Sequence, residues 1–83
     1  MNEVIAVEVR LKADGAIRPL AFSWRGKRYR VASIGRQWEQ DGERHFLVMT
    51  PDEWVYELAY LQKEGGWRLR RRPQDFRPPK RAV

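Results

Sequence analysis

Three arginines at alternate positions, Arg68, Arg70 and Arg72, stand in the run WRLRRR. On an extended strand, residues two apart project from one face about 7 Å from each other. Guanidinium groups at that interval suit the phosphates of one nucleic-acid strand, which Arg and Lys grip without reading sequence. A second basic stretch, FSWRGKRYRV from Phe22 to Val31, holds Arg25, Lys27, Arg28 and Arg30 among three aromatic residues. Together with Arg71, these cations form the candidate nucleic-acid-binding set. Binding of this kind is sensitive to salt and tolerant of sequence. The competing reading is a solvated strand face followed by a soluble tail.

The distribution of charge favours a polyanionic partner. The net charge is +6, yet residues 1–67 carry ten Lys/Arg and ten Asp/Glu. All the excess therefore lies in residues 68–83, with seven cations and one acid. Between Arg18 and Arg36 there are six cations and no acid. Segregation of this sort implies an acidic partner more than a high overall pI does.

Enzyme chemistry finds little support. His45 is the only histidine and there is no cysteine, so neither a thiolate metal site nor a disulfide framework is available. His45 is expected beside Trp38 across a strand pair, with its ring partly in solvent. Asp52 and Glu53 are adjacent, and adjacent strand residues point to opposite faces. Ser23 and Ser33 have no base near them in any register the sequence allows. The glycines of RGK, GRQ and EGG are isolated and make no phosphate-cradling loop. The expectation is a protein without catalytic residues, cofactor or metal.

The elements that position these side chains are written in turns. Asp14-Gly15 and Asp41-Gly42 are strong two-residue hairpin signals. A turn centred on Asp14-Gly15 pairs Leu11 with Arg18, Val9 with Leu20, Val7 with Phe22 and Ile5 with Trp24. Apolar residues then share one face, and Glu8, Arg10 and Lys12 take the other. A turn at Gly26-Lys27 sets Trp24 against Tyr29 and Phe22 against Val31, and a loop at Arg25-Gly26 keeps the faces but shifts the partners. Asp41-Gly42 pairs Glu39 with Arg44, Trp38 with His45 and Ile34 with Met49. Val31, Ser33, Gly35, Phe46 and Val48 continue the core face. Ile34, Trp38, Leu47 and Met49 make a second apolar face, which Trp54 and Tyr56 would extend. That face either closes the sheet into a small barrel or docks a protein partner. An exposed Trp38 would also stack bases.

One segment reads two ways. TPDEWVYELAYLQKEGG has Thr50, Pro51 and Glu53 placed as a capping box, with Trp54, Leu58 and Leu61 at helical spacing. It equally has a type I turn at Thr50–Glu53 followed by β-forming WVYELAYL. After Arg72, the stretch PQDFRPPKRAV is rich in Pro and charge and is expected to be a flexible basic tail, residues 73–83.

The order AVEVRL, a DG turn, RPLAFSWRGKRYRV, Trp38, HFLVMT, VYEL and GWRLRR resembles a small bacterial family of unknown function. Its most specific element is Trp24-Arg25-Gly26 with Tyr29 and Val31. A similar WRG-x-x-Y-x-V block occurs near the C-terminus of the inactive Y-family-like polymerase subunit of bacterial mutagenesis complexes. The resemblance spans about residues 4–72. It implies an all-β domain and a link to DNA damage tolerance, and it carries over no catalytic residue.

At 83 residues the chain is one small domain with a thin core. No apolar run approaches a membrane span, and MNEVIAVEVR lacks the apolar core of a signal peptide. The expectation is a cytoplasmic chain with no membrane partner. Residues 1–72 should form an all-β, twisted antiparallel meander of about six strands, curled into an open SH3-like or OB-like barrel. An α+β domain with a helix over 52–64 is the alternative. The expected function is an accessory module that binds nucleic acid, most simply single-stranded DNA. The other reading is an interaction module of a DNA-repair or mutagenesis complex that docks a repair protein on Ile34, Trp38, Leu47 and Met49.

Overall fold

Turn chemistry sets the strand boundaries. The computed structural model describes residues 3–76. Arg25 and Gly26 have φ of +52° and +77°, and Asp41 and Gly42 have +54° and +75°. Both pairs make type I′ turns, which need positive φ at each central residue. Glycine, with no Cβ, adopts that conformation freely at the second position. The strands between turns are β1 (Glu3–Leu11), β2 (Ile17–Trp24), β3 (Lys27–Arg30), β4 (Ser33–Gln40), β5 (Glu43–Met49), β6 (Val55–Leu61) and β7 (Gly66–Arg71). A single 3₁₀ turn follows at Pro73–Asp75.

All seven strands pair antiparallel in one sheet, in the order β3-β2-β1-β7-β6-β5-β4. Two meanders, β1–β3 and β4–β7, are therefore joined through the β1–β7 pair. The link between them is Val31-Ala32. The Val31 amide donates to Leu20 O of β2, and the Ala32 amide donates to Met49 O of β5. This link bends the sheet into a curled half-barrel. It also splits the expected single strand after the second turn in two, which raises the count from about six to seven.

The concave side holds the core. Phe22, Phe46, Val48, Leu58 and Leu69 are almost fully buried, and Ile5, Tyr56 and Trp67 nearly so. Phe22 of β2 meets Tyr56 of β6 edge-on with centroids 5.0 Å apart, although those strands are not neighbours in the sheet. Tyr29 stacks on Phe22 at 5.1 Å. Fully burying a side chain such as Phe22 contributes about 1.5–3 kcal/mol. Beyond Val7 the first hairpin outruns this core, leaving Val9 43% and Leu11 73% exposed. The molecule is accordingly long, 49 Å against 27 and 24 Å across.

The segment with two readings is strand. Glu53 N donates to Thr50 O at 2.8 Å, closing the turn with Pro51 at its second position, and Val55–Leu61 follows as β6. Residues 56–59 are all buried. A strand covered on both faces loses the two-residue alternation that identifies it, so the sequence pattern left a helix open.

Two expected registers are corrected. At the first turn, Lys12 N donates to Ala16 O and Gly15 N to Lys12 O, both at 2.9 Å. The loop therefore has three residues, Ala13 to Gly15, and Leu11 pairs with Ile17, Arg10 with Arg18 and Val9 with Pro19. An extra residue at Leu20 then restores the expected pairing of Val7 with Phe22. At the second turn the chain takes the Arg25-Gly26 loop, the other of the two readings, so Phe22 faces Tyr29 and Trp24 faces Lys27. The third hairpin pairs Trp38 with His45 and Glu39 with Arg44 as expected. An irregularity between Ile34 and Gln37 pairs Ile34 with Val48 rather than Met49.

Of the expected tail, residues 73–76 are described. Arg72 and Asp75 form a reciprocal cap on the 3₁₀ turn, and the Arg71 guanidinium lies 4.2 Å over the Phe76 ring. Residues 77–83, with Arg77, Lys80 and Arg81, lie outside the described residues. No helix among the described residues is long and apolar enough to cross a membrane.

Candidate nucleic-acid interface

The expected cations fall into two groups, one along β7 and its end and one on the β2–β3 hairpin. The first lies on β7. Arg68 pairs with Ala59 and Val4, and Arg71 with Glu57, across the strands. An irregularity between Glu57 and Leu58 leaves Arg70 opposite no single residue of β6. All three arginines meet acids from elsewhere in the chain. Arg71 Nε donates to Glu57 Oε1 at 2.5 Å, Arg70 Nη2 donates to Glu43 Oε2, and Arg68 Nη2 lies 3.8 Å from Glu64 Oε2. Arg72 closes on Asp75 through its backbone amide, at 2.8 Å, and two guanidinium N–H groups, each at 3.1 Å. These bonds to Arg72 hold the Asp75 carboxyl down at about 2.

His45 is knitted into the same network. Its Nδ1 lies 2.7 Å from Glu57 Oε2 and its Nε2 lies 3.4 Å from Glu43 Oε1. The ring stacks on Trp38 at 5.0 Å and 5°. Strand β6 brings Glu57 against this ring, so His45 is buried rather than partly in solvent. The result is a continuous polar chain, Arg70–Glu43–His45–Glu57–Arg71, set into the convex face.

The second group lies on the β2–β3 hairpin and extends onto β1. Register places Ala6, Ser23 and Arg28 in one cross-strand row and Glu8, Ala21 and Arg30 in the next. Arg10 and Arg18 form the row beyond. The extra residue at Leu20 is what rotates Arg18 onto this face. Arg10, Arg18, Arg28 and Arg30 are all exposed. Arg28 grips Glu8 with two bonds, of 2.6 and 3.0 Å, and this grip lowers the Glu8 carboxyl below its usual range. Both partners stand 55% exposed, so solvent screens the pair strongly and it adds little to stability. Arg25 bonds Glu3, which also accepts from the Trp24 indole N–H at 3.0 Å. Lys27 sits 5.3 Å over the Tyr29 ring. Among the described residues Arg10, Arg18 and Arg30 have no ion pair.

Sequence reasoning thus singled out Arg25, Lys27, Arg28 and Arg30 in one place and Arg68, Arg70, Arg71 and Arg72 in another. The two sets approach each other at Glu3, which Arg25 bonds and whose carboxyl Arg25 and Arg72 both lower. Sequence reasoning missed Arg10 and Arg18 as a pair because the first turn was read one residue too short.

The expected second apolar face is smaller than the sequence implies. Ile34 and Tyr56 turn to the core, the latter opposite Val48. Trp38, Leu47 and Met49 remain on the convex side, each half-buried. Arg36 lies 5.2 Å over Trp38. The exposed tryptophan is Trp54, at 55%.

Among the described residues no cluster of three His, Cys, Asp or Glu has the arrangement of a metal site. No curated protein and no solved structure shows a significant match to the chain. A family model does match, over residues 1–74, which takes in every strand and every described cation. With that coverage the chain belongs to the domain-of-unknown-function family DUF6504.

Proposed function

We propose that this chain is a non-catalytic accessory module that binds single-stranded nucleic acid on the convex face of β1, β2 and β3. The observation that carries the reading is the Arg10–Arg18 pair. Like charges directly opposite in a sheet are destabilising, and no acid among the described residues relieves this pair. A polyanion laid across the face would. Arg28 and Arg30 continue the same surface on β3, and the exposed Arg28–Glu8 pair is weak enough for a phosphate to replace the carboxylate. Contacts of this type position a strand without reading its sequence. The likeness of Trp24-Arg25-Gly26, Tyr29 and Val31 to a block in the inactive polymerase-like subunit of mutagenesis complexes supports a role in DNA damage tolerance.

The test is fluorescence anisotropy of a labelled single-stranded oligonucleotide at about 50 and 200 mM salt, where several phosphate contacts change affinity by orders of magnitude. The double substitution Arg10→Ala/Arg18→Ala should weaken binding about tenfold or more at the lower salt and flatten the salt dependence. Arg68→Ala should leave both unchanged. Equal loss in the two variants would remove the β1–β3 face as the site. No binding at low salt would end the nucleic-acid reading and direct attention to a protein partner on Trp38, Leu47 and Met49.

A further inference from the structure

Trp54 is the largest exposed apolar side chain of the described residues, and its backbone is clamped. Thr50, itself 3% exposed, donates its amide to Trp54 O at 3.0 Å and its hydroxyl to Asp52 Oδ1 at 2.5 Å. The loop repeats the geometry of the Lys12–Ala16 turn, with Glu53 in the left-handed position that Gly15 occupies there. Glu53 has φ +68°, a left-handed conformation that strains a residue with a Cβ. This hydrogen-bonded turn holds an indole out in solvent.

The indole forms one wall of a cleft of about 260 Å³ with Trp24, Tyr56, Pro73 and Gln74. That is below the roughly 300–1,000 Å³ of pockets that enclose a drug-sized ligand. The cleft suits a flat group laid against its wall. A neighbouring cleft is lined by Lys27, Arg28, Tyr29 and Arg30 along the free edge of β3, with Thr50–Asp52 opposite. The two clefts meet at one aromatic cluster, where Tyr29 and Tyr56 lie 5.6 Å apart and Trp24 lies within 6.3 Å of both. An aromatic slot therefore adjoins a slot carrying three cations and one acid, Asp52. Arg28 and Arg30 belong both to this edge and to the convex face described above.

We infer that Trp54 is a stacking platform for one base of a single strand whose phosphates run over the β3 edge past Lys27 and Arg30. The inference rests on the nucleic-acid reading and deepens it. Stacking on an aromatic side chain is worth about 1–3 kcal/mol per base and is tolerant of sequence, in keeping with the phosphate contacts.

The test uses the full chain with two probes of equal length, oligothymidylate and an abasic deoxyribose-phosphate strand. Trp54→Ala should weaken oligothymidylate binding by about 5- to 150-fold and leave the abasic strand unaffected. Trp54→Phe should retain most of the affinity, and circular dichroism should show both variants folded. Equal effects on the two probes, or no effect on either, would overturn the platform while leaving phosphate binding intact. A wild-type chain that binds neither probe at low salt would remove the parent reading and this one together. Binding of a proline-rich peptide at Trp54 with no binding of oligothymidylate would assign the cleft to polyproline recognition instead and overturn the inference.

Discussion

The convex side of this sheet carries arginine in two places, and the two behave differently. On β7, Arg68, Arg70 and Arg71 each meet a carboxylate supplied by the β6–β7 turn, β5 or β6. On β1–β3, Arg10 faces Arg18, and neither they nor Arg30 form an ion pair among the described residues, while Glu8 is taken by Arg28. In the sequence the β7 run is the more conspicuous. In the folded chain it is the more nearly neutral. Density of charge along a chain and density of charge on a surface are different quantities in a sheet, where the neighbours across a strand come from remote positions.

The contrast is tested most severely by removing the acid at the centre of the β7 network. Glu57→Ala deprives His45 and Arg71 of their shared acceptor in a place only 9% exposed on the glutamate side. We expect a loss of about 2–3 kcal/mol in urea unfolding, less than a fully buried pair because Arg71 is partly solvated. Oligonucleotide affinity of the folded variant should be unchanged. A loss of affinity without a loss of stability would reverse the roles assigned to the two regions.

Arg18→Glu acts on the other region and should move two quantities in opposite directions. Opposite charges across the β1–β2 pair should raise stability by about 0.2–1 kcal/mol. Binding should weaken, with the slope of log affinity against log salt falling by at least about 0.7 for the phosphate contact removed. A destabilised variant, or one that binds as the parent does, would break the argument from the like-charge pair.

The smallest expected effect concerns the end of β7. Arg72 holds Asp75 down at about 2 from an ordinary 3.8. A depressed carboxyl stabilises the fold above its ordinary value, and the contribution fades as pH falls from there through about 2. The carboxyl resonance of Asp75 should titrate at about 2 in the parent and return to the ordinary range in Arg72→Ala. An unshifted midpoint in the parent would show that Arg72 is not engaged by Asp75.

Much of the fold is legible in the residues. Asp41-Gly42 fixed the third hairpin down to the pair Trp38–His45, and Trp24, Tyr29 and Phe22 were placed on the core face before their partners were right. The error at the first hairpin is one of turn length. A DG dipeptide serves both a two-residue turn and a three-residue loop closed by glycine, and the choice depends on where later irregularities absorb the extra residue. Leu20 absorbs it in the first hairpin, which hid the Arg10–Arg18 pair. The irregularity after Ile34 did the same for the second apolar face. The neutralisation of β7 was illegible for another reason. Glu43, Glu57 and Arg70 become neighbours only through β5, β6 and β7 lying side by side, and nothing local to WRLRRR announces it.

The position of β1 in the sheet bears on the order in which the chain can be assembled. Its partner on one side, β2, follows at once, but its partner on the other is the last strand to be made. Ile5 meets Trp67 from the far end of the sequence. During synthesis one edge of β1 must stay open until β7 emerges, and pairings between such distant residues form slowly. Charged residues on an open edge disfavour its pairing with another chain, and β1 carries Glu3, Glu8 and Arg10.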